Sequence, residues 1–210
     1  MLKELNRHFG MGFAGEVIPN GVDPLPRSTG PKRRRILSVG RIWDEAKNIR
    51  LLDSVAAEVL WPIVTAGPLT GPDGAELHPR NLECLGRLSA EGVREELAGA
   101  SIYAAPALYE PFGLAIQEAA LSECALVLSD IPSLRELWDG VAVFVDPNDE
   151  TAWRRALNDL IEDPRRRAVL AARALDRARS RGVAGMAVRY HALYARMTTE
   201  GDFQSRRLAA

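Results

Sequence analysis

The chain has 210 residues, 47% hydrophobic, 26% charged and 6% aromatic, and its 27 basic and 28 acidic residues leave a net charge of −1. A chain of this size buries a substantial core, and its near-neutrality argues against general nucleic-acid binding. No apolar run approaches the roughly 20 residues of a membrane span. The opening Met1-Leu-Lys-Glu-Leu-Asn lacks the basic-then-apolar order of a signal peptide. Cys84 and Cys124 lie far apart, which excludes a disulfide scaffold or a CxxC metal site. The expectation is a soluble cytoplasmic domain.

In chain order, Leu2–Phe9 reads as a short helical lead-in within residues 1–12. Strands are expected at Glu16–Pro19, Arg35–Val39, Trp61–Ala66, Asn81–Leu85, Ser101–Ala105, Ala125–Ser129 and Val141–Val145. Several are apolar almost throughout, the mark of strands buried on both faces of a parallel sheet. Helical patterns fall between them near 47–60, 89–99, 113–122 and 133–138. This alternation predicts an α/β fold with a doubly wound parallel sheet. Its right-handed crossovers put the loops after successive strands on one edge, where ligands bind.

After Val145 only helices are expected. Trp153, Ala156, Leu157, Leu160 and Ile161 fall at helical spacing behind Thr151, a candidate N-cap. Pro164 opens a second helix running to about Arg181. Tyr190, Leu193, Tyr194 and Met197 form a third apolar stripe, and Thr198–Ala210 reads as a flexible tail. The organisation is one domain over 13–197 with a helical C-terminal end.

Residues 151–210 hold 13 Arg and 6 acidic residues, whereas residues 1–150 are net acidic. Solvated Arg-rich helices account for this; the other reading is peripheral contact with a membrane surface or another polyanion. Lys32-Arg33-Arg34-Arg35 precedes an apolar strand and reads as a wet loop. The sequence contains no GxxxxGK[ST], HExxH or GxSxG, and His8, His78 and His191 are scattered. Gly67-Pro-Leu-Thr-Gly71-Pro-Asp-Gly74 is either a close approach to a ligand or an ordinary turn-rich loop.

Two segments carry more chemistry. In Ser38-Val39-Gly40-Arg41, followed by Lys47-Asn48, a strand ends at a glycine and two cations follow on one loop. An Arg fork and a Lys point charge at that edge suit a diphosphate; the alternative is pairing of both with Asp44 and Glu45. In Ala105 to Ala120, a strand ends, a loop carries Glu110, and Pro111-Phe112-Gly113 leads into a helix holding Leu114 and Glu118. The free N–H groups at that helix start form an anion site. Glu110 and Glu118 are placed to accept hydrogen bonds from sugar hydroxyls.

With these motifs the chain resembles the nucleotide-binding half of GT-B glycosyltransferases, specifically glycosyltransferase family four (glycosyl transferases group 1), over about residues 13–197. Val17-Ile18-Pro19-Asn20-Gly21-Val22-Asp23 matches the family's opening strand and loop, and Gly40-Arg41 with Lys47-Asn48 its phosphate-binding pair. Leu85-Gly86-Arg87-Leu88 matches the turn beside the base, and Glu110 to Glu118 the E-x7-E element. Ser129-Asp130-Ile131-Pro132-Ser133-Leu134-Arg135-Glu136 and Phe144-Val145-Asp146-Pro147 complete the ordered series. Where the family usually has a Gly and then a Pro after the second Glu, this chain has Glu123 and Ala125.

The resemblance implies a Rossmann-like half of a GT-B enzyme that moves a sugar, usually with retention, from a nucleotide-diphosphate sugar to an acceptor hydroxyl. Arg41 and Lys47 would bind the diphosphate and stabilise the leaving group. Gly40 would let the backbone approach it, and Phe112, Gly113 and Leu114 would hold sugar and phosphate. Glu110 would bind the transferred sugar, Glu118 the ribose, and Gly86, Arg87 and Leu88 would lie near the base. No cofactor and no metal are expected. The acceptor-binding N-terminal domain is expected to be supplied elsewhere, leaving this chain inactive or nearly so alone. A non-catalytic nucleotide-sugar-binding or regulatory subunit is the alternative; a GT-B sugar-nucleotide epimerase shares the fold but fits the two residue pairs less well.

Overall fold

The computed structural model describes the backbone of residues 2–9, 16–23 and 30–208 and the side chains of 6–9, 16–23 and 30–198. In chain order the elements are α1 (Leu2–Phe9), β1 (Arg33–Val39), α2 (Ile49–Val55), β2 (Ile63–Ala66), β3 (Glu83–Cys84), α3 (Ala90–Gly99), β4 (Ala100–Ala105), α4 (Leu114–Leu121), β5 (Ala125–Ser129), α5 (Pro132–Trp138), β6 (Val143–Val145), α6 (Glu150–Glu162), α7 (Pro164–Arg179) and α8 (Val183–Leu208). They fall into two compact units, Met1–Asp23 with Ser180–Ala210, and Pro24–Arg179. The sequence suggested a single domain over 13–197; its expected boundary near residue 12 lies outside the described residues.

The larger unit is built on a six-stranded sheet in the order β3-β2-β1-β4-β5-β6. Every pair is parallel, with Ile36 beside Ile63 and Ile102, and Ile102 beside Ala125. β2 and β5 are buried along their whole length, as strands covered on both faces must be. Ile36, Ile102, Ala104, Ala125 and Val127 share one face with Leu52 of α2 and Trp153 and Leu157 of α6. The alternate residues Leu37, Tyr103, Leu126 and Leu128 are buried on the other face, where α3, α4 and α7 pack. The outer strand β3 is only two residues long, a short edge that offers little to another chain. β2 begins after Pro62, whose missing N–H ends the ladder; its carbonyl still accepts the Ile36 N–H at 3.0 Å.

Capping sets the helix starts. Ser89 Oγ accepts the Gly92 N–H at 3.1 Å to open α3. Asp149, not Thr151, caps α6: its Oδ1 accepts the Ala152 N–H at 2.9 Å, because the turn at Asp146–Asp149 brings that carboxylate to the helix start. Pro164 opens α7, which ends at Arg179. Both cysteines are free.

The basic run Lys32–Arg35 is not a wet loop. Arg33–Arg35 start β1, and Arg35, 9% exposed, is ion-paired with Glu96 of α3. Lys32 Nζ donates to the carbonyls of Leu97 and Ser122 at the ends of α3 and α4. Arginines of the C-terminal half are likewise engaged: Arg154 with Glu58, Arg167 with the Leu160 and Ile161 carbonyls, and Arg177 with the Leu137 carbonyl. Arg167 also lies over the Trp61 ring, 4.8 Å from its centre. These contacts fit structural, solvated Arg-rich helices.

In the smaller unit, residues 16–23 are irregular rather than the strand expected at Glu16–Pro19. Their polar groups are satisfied by α8 and the turn before it. Arg189 donates to the Val17 carbonyl at 2.8 Å, the Val22 N–H reaches the Arg181 carbonyl at 3.1 Å, and Glu16 pairs with Arg196. Gly21 is required here, since a Cβ would stand 2.7 Å from the Gly182 backbone. α8 stays helical through Leu208, so its backbone is regular past Thr198, where the sequence suggested a flexible tail. Among the described residues no helix is long and apolar enough to cross a membrane.

Candidate functional site

The strand order reverses direction between β1 and β4, the topological position outside which open α/β sheets bind their ligands. The singled-out residues of the larger unit sit at the carboxyl edge of the sheet. Gly40 follows β1, and its N–H donates to the Ala66 carbonyl at 3.0 Å. Arg41 comes next, and Lys47 closes the short turn Glu45–Lys47. The loop after β4 carries Glu110, Phe112 and Gly113 into α4, which begins at Leu114. Gly86, Arg87 and Leu88 follow β3, two strands away from β1 on the same edge.

Several long-range contacts join the β1 and β4 loops. The Leu108 N–H donates to the Ala46 carbonyl at 2.9 Å, and Lys47 Nζ donates to Glu110 Oε2 at 2.5 Å. Both side chains of that ion pair are largely covered, 22% and 16% exposed. The Lys47 stem runs over Gly40, 3.7 Å from where a Cβ would stand. Asn48 locks the arrangement. It takes φ 53°, and its Nδ2 donates to the carbonyls of Pro106 at 3.1 Å and Pro147 at 2.9 Å, tying together the loops after β1, β4 and β6.

Arg41 is more open, with a side chain 59% exposed. Its Nε and Nη2 donate to Asp44 Oδ2 at 2.9 and 2.6 Å, and its guanidinium lies 5.8 Å from the Trp43 ring centre. The sequence left open whether these cations face a ligand or pair with Asp44 and Glu45. Arg41 does pair with Asp44, whereas Lys47 pairs with Glu110, another residue of the same edge. Burial pushes the Asp44 carboxyl up, but the Arg41 hydrogen bonds, the Ala46 N–H and the two nearby cations outweigh it and hold it below the usual carboxylate range.

The start of α4 supplies the complementary half. Gly113 is the N-cap at φ 78°, and a Cβ there would meet Ile116 Cδ1 at 2.6 Å, so both conformation and space demand glycine. Its carbonyl accepts the N–H groups of Ile116 and Gln117 at 3.0 and 3.1 Å. Among the described residues none accepts the N–H groups of Phe112, Gly113, Leu114 or Ala115. Four such donors at a helix N-terminus attract an anion. The loop is braced from α5, where Ser133 Oγ donates to the Glu110 carbonyl at 2.6 Å. Below it Arg135 grips Asp130 and Asp139 and stacks over Phe144, 4.1 Å from the ring centre.

Glu118 lies one turn into α4, half-buried. Burial raises its carboxyl above the ordinary range, and Arg94 opposes the shift. Tyr103, buried beneath the site, donates its hydroxyl to the Val39 carbonyl at 3.2 Å. Burial pushes that phenol up strongly, and Glu110 and Glu118 add to the shift, which places it near both carboxylates. At Gly67 a Cβ would fall 1.6 Å from the Gly40 carbonyl oxygen, so glycine there lets two loops meet. Gly71 packs on Trp43.

Sequence reasoning did not single out Asn48 as a tie, nor Tyr103 or Ser133. Tyr103 is signalled by the one phenol in an otherwise aliphatic strand. Asn48 is signalled by its type, since Asn enters the left-handed region more readily than other non-glycine residues.

The sequence profile of the family described as Glycosyl transferases group 1 matches residues 33–163, which contain this whole edge. The chain belongs to that family. It is 34% identical over 106 residues to alpha-maltose-1-phosphate synthase of Mycolicibacterium smegmatis, covering 47% of this chain and 24% of the relative. Its fold is that of a GT-B glycosyltransferase domain. It superposes on sucrose-phosphate synthase from Thermosynechococcus elongatus with a TM-score of 0.81 at 18% identity, covering 95% of this chain and 57% of that one. Anabaena HepE in complex with UDP-glucose gives 0.67 at 18% identity, covering 92% and 52%. This glycosyl transferases group 1 chain spans less than half the length of the curated relatives it matches.

Proposed function

We propose that the larger unit binds the donor for a retaining, metal-independent glycosyltransferase, which moves a sugar from a nucleoside-diphosphate sugar to an acceptor hydroxyl. The observation that carries this reading is that Arg41, the Lys47–Glu110 pair and, among the described residues, the unaccepted N–H groups of Phe112, Gly113, Leu114 and Ala115 all lie on the two segments that follow β1 and β4 at the switch point. That arrangement offers two cations and a helix N-terminus to a diphosphate, with carboxylates beside them for hydroxyls. The family assignment supports it, as does the UDP-glucose held by structurally similar HepE.

In this reading the diphosphate displaces Glu110 from Lys47, and the freed Glu110 carboxylate accepts hydrogen bonds from the sugar. Glu118 accepts from the ribose, and Gly86–Leu88 flank the base. As the anomeric C–O bond breaks, charge gathers on the departing diphosphate. Arg41, Lys47 and the α4 N–H groups stabilise it there, which is why no metal is required. The acceptor hydroxyl oxygen bonds to the anomeric carbon, and its proton passes to the departing diphosphate oxygen. Positioning that acceptor falls to a second, acceptor-binding domain, so the donor-binding unit by itself binds donor and transfers sugar slowly or not at all.

A thermal-shift panel of UDP, GDP and ADP with the wild type and Arg41→Ala tests the proposal. A nucleotide at about 100 times its dissociation constant adds roughly 2.7 kcal/mol of stability. One base stabilising the wild type far more than the variant is the expected result. A folded chain indifferent to all three removes the donor-site reading.

A further inference from the structure

The two cations of the carboxyl edge share one dependency that neither motif displays. Asp44 uses each of its carboxylate oxygens on a different task. Oδ2 receives the Arg41 Nε and Nη2 hydrogens. Oδ1 receives the Ala46 N–H at 3.0 Å and so caps the short turn that delivers Lys47. The backbone repeats the link, with the Asp44 N–H on the Arg41 carbonyl at 3.2 Å and the Lys47 N–H on the Asp44 carbonyl at 2.9 Å. The Asp44 side chain is 15% exposed, against 59% for the Arg41 it holds. The fixed partner is thus on the inside and the guanidinium projects outward.

The hydrogen-bonding arithmetic of the guanidinium then matters. An Arg has five N–H donors in a rigid fork. Asp44 uses the Nε hydrogen and one on Nη2, leaving the Nη1 pair and the second Nη2 hydrogen for a ligand. A free Arg side chain loses rotamer entropy on binding an anion, and one already held in place loses less. The opposing effect is repulsion between the Asp44 carboxylate and a phosphate. The structure favours holding over repulsion, because the largely covered carboxylate already accepts three N–H groups, two from Arg41 and one from Ala46, and its charge is opposed by Arg41 and Lys47.

We infer that Asp44 is a positioning residue for the diphosphate of the donor, acting through Arg41 by fixing its fork and through the turn that carries Lys47. This rests on the donor-site reading above and sharpens it. Asp44→Asn separates the two tasks. Asparagine keeps an oxygen for the Ala46 N–H but presents an amide where Arg41 needs a carboxylate. Asp44→Ala removes both.

The test is calorimetric titration of the full chain with UDP, GDP, ADP, inorganic pyrophosphate and the corresponding nucleosides. It uses the wild type, Asp44→Asn, Arg41→Ala and the double variant, with thermal unfolding of each. Asp44→Asn is expected to unfold close to the wild-type temperature and to bind the accepted diphosphate and pyrophosphate about tenfold more weakly. Its affinity for the nucleoside stays unchanged. In the Arg41→Ala background the same substitution adds little further loss, as coupling through Arg41 requires. Equal or tighter diphosphate binding by Asp44→Asn overturns the inference, because it makes the carboxylate a competitor of the ligand. A loss that is fully additive with Arg41→Ala, or one shared equally by the nucleoside, overturns it too. A folded wild type that binds none of the diphosphates removes the donor-site reading and this role together, an outcome distinct from the failure of Asp44 alone.

Discussion

The two edges of the sheet carry basic residues of the same types and put them to opposite uses. At the amino edge, Lys32 and Arg35 are consumed internally by helix-end carbonyls and by Glu96. At the carboxyl edge, Arg41 is mostly exposed and Lys47 is held by a carboxylate that belongs to the same edge. The difference follows from strand direction. In a parallel sheet the helices that return to the amino edge end there, and their last carbonyls need donors. The helices that leave the carboxyl edge start there, and their first N–H groups need acceptors. A cation at the amino edge therefore completes the protein, whereas at the carboxyl edge Arg41 and Lys47, held by Asp44 and Glu110, lie on the side where helices start.

That contrast breaks most visibly under matched substitutions. Arg35→Ala leaves Glu96 covered and unpaired, and its expected cost is about 3 kcal/mol of stability, the low end for breaking a buried pair. Any chain that still folds should keep its nucleotide affinity. Arg41→Ala should do the reverse. Its exposed pair with Asp44 contributes under about 1 kcal/mol to folding, while nucleoside-diphosphate binding falls by about 1.5–3 kcal/mol. Urea unfolding and calorimetry on both variants check this. Equal losses of stability would erase the distinction between the edges.

Much of this was legible in the sequence because it is written in local pattern. Apolar runs such as Ala125–Ser129 declare buried parallel strands, and a strand end followed by Pro111-Phe112-Gly113 declares a loop entering a helix. What the sequence could not display is partnership across long separations. Lys47 and Glu110 are 63 positions apart, and nothing in either segment announces that they meet. Asn48 bonds to carbonyls 58 and 99 positions away. The basic run at Lys32–Arg35 misled for the same reason: its acceptors lie 61 to 90 positions downstream. Glu16–Pro19 misled because an apolar, extended segment satisfies its polar groups equally well against a helix.

Glu118 sharpens the comparison by showing what a half-buried carboxylate costs the fold. Its raised folded-state value means the unfolded chain ionises more readily. The stabilising effect of that shift is full below the ordinary Glu value of 4.5 and is lost as pH rises through the higher folded value. Glu118→Gln removes the desolvated charge, so the variant should melt above the wild type at pH 7–8 and converge with it toward pH 4. It should also lose about 1.5 kcal/mol of nucleotide binding and none of pyrophosphate binding. Melting curves that stay parallel at every pH would deny the burial cost. Equal losses for both ligands would deny the ribose contact.

The smallest effect concerns the far end of the same helix. α4 ends with the Cys124 N–H on the Ala119 carbonyl and the Glu123 N–H on the Ala120 carbonyl, both at 3.0 Å. That is the Schellman arrangement, which places Glu123 at the left-handed position glycine normally takes. Glu123 sits there at φ 61°, where the family usually has Gly. The hydrogen bonds of the motif are made whichever residue stands there, so the departure costs strain rather than structure. For a residue with a Cβ that strain is about 1 kcal/mol, partly offset by whatever the exposed carboxylate gains. Glu123→Gly should therefore stabilise the chain by up to about 1 kcal/mol in urea unfolding, with the nucleotide affinity at the other end of α4 unchanged. A loss of stability would mean that the Glu123 side chain contributes more than its backbone conformation costs.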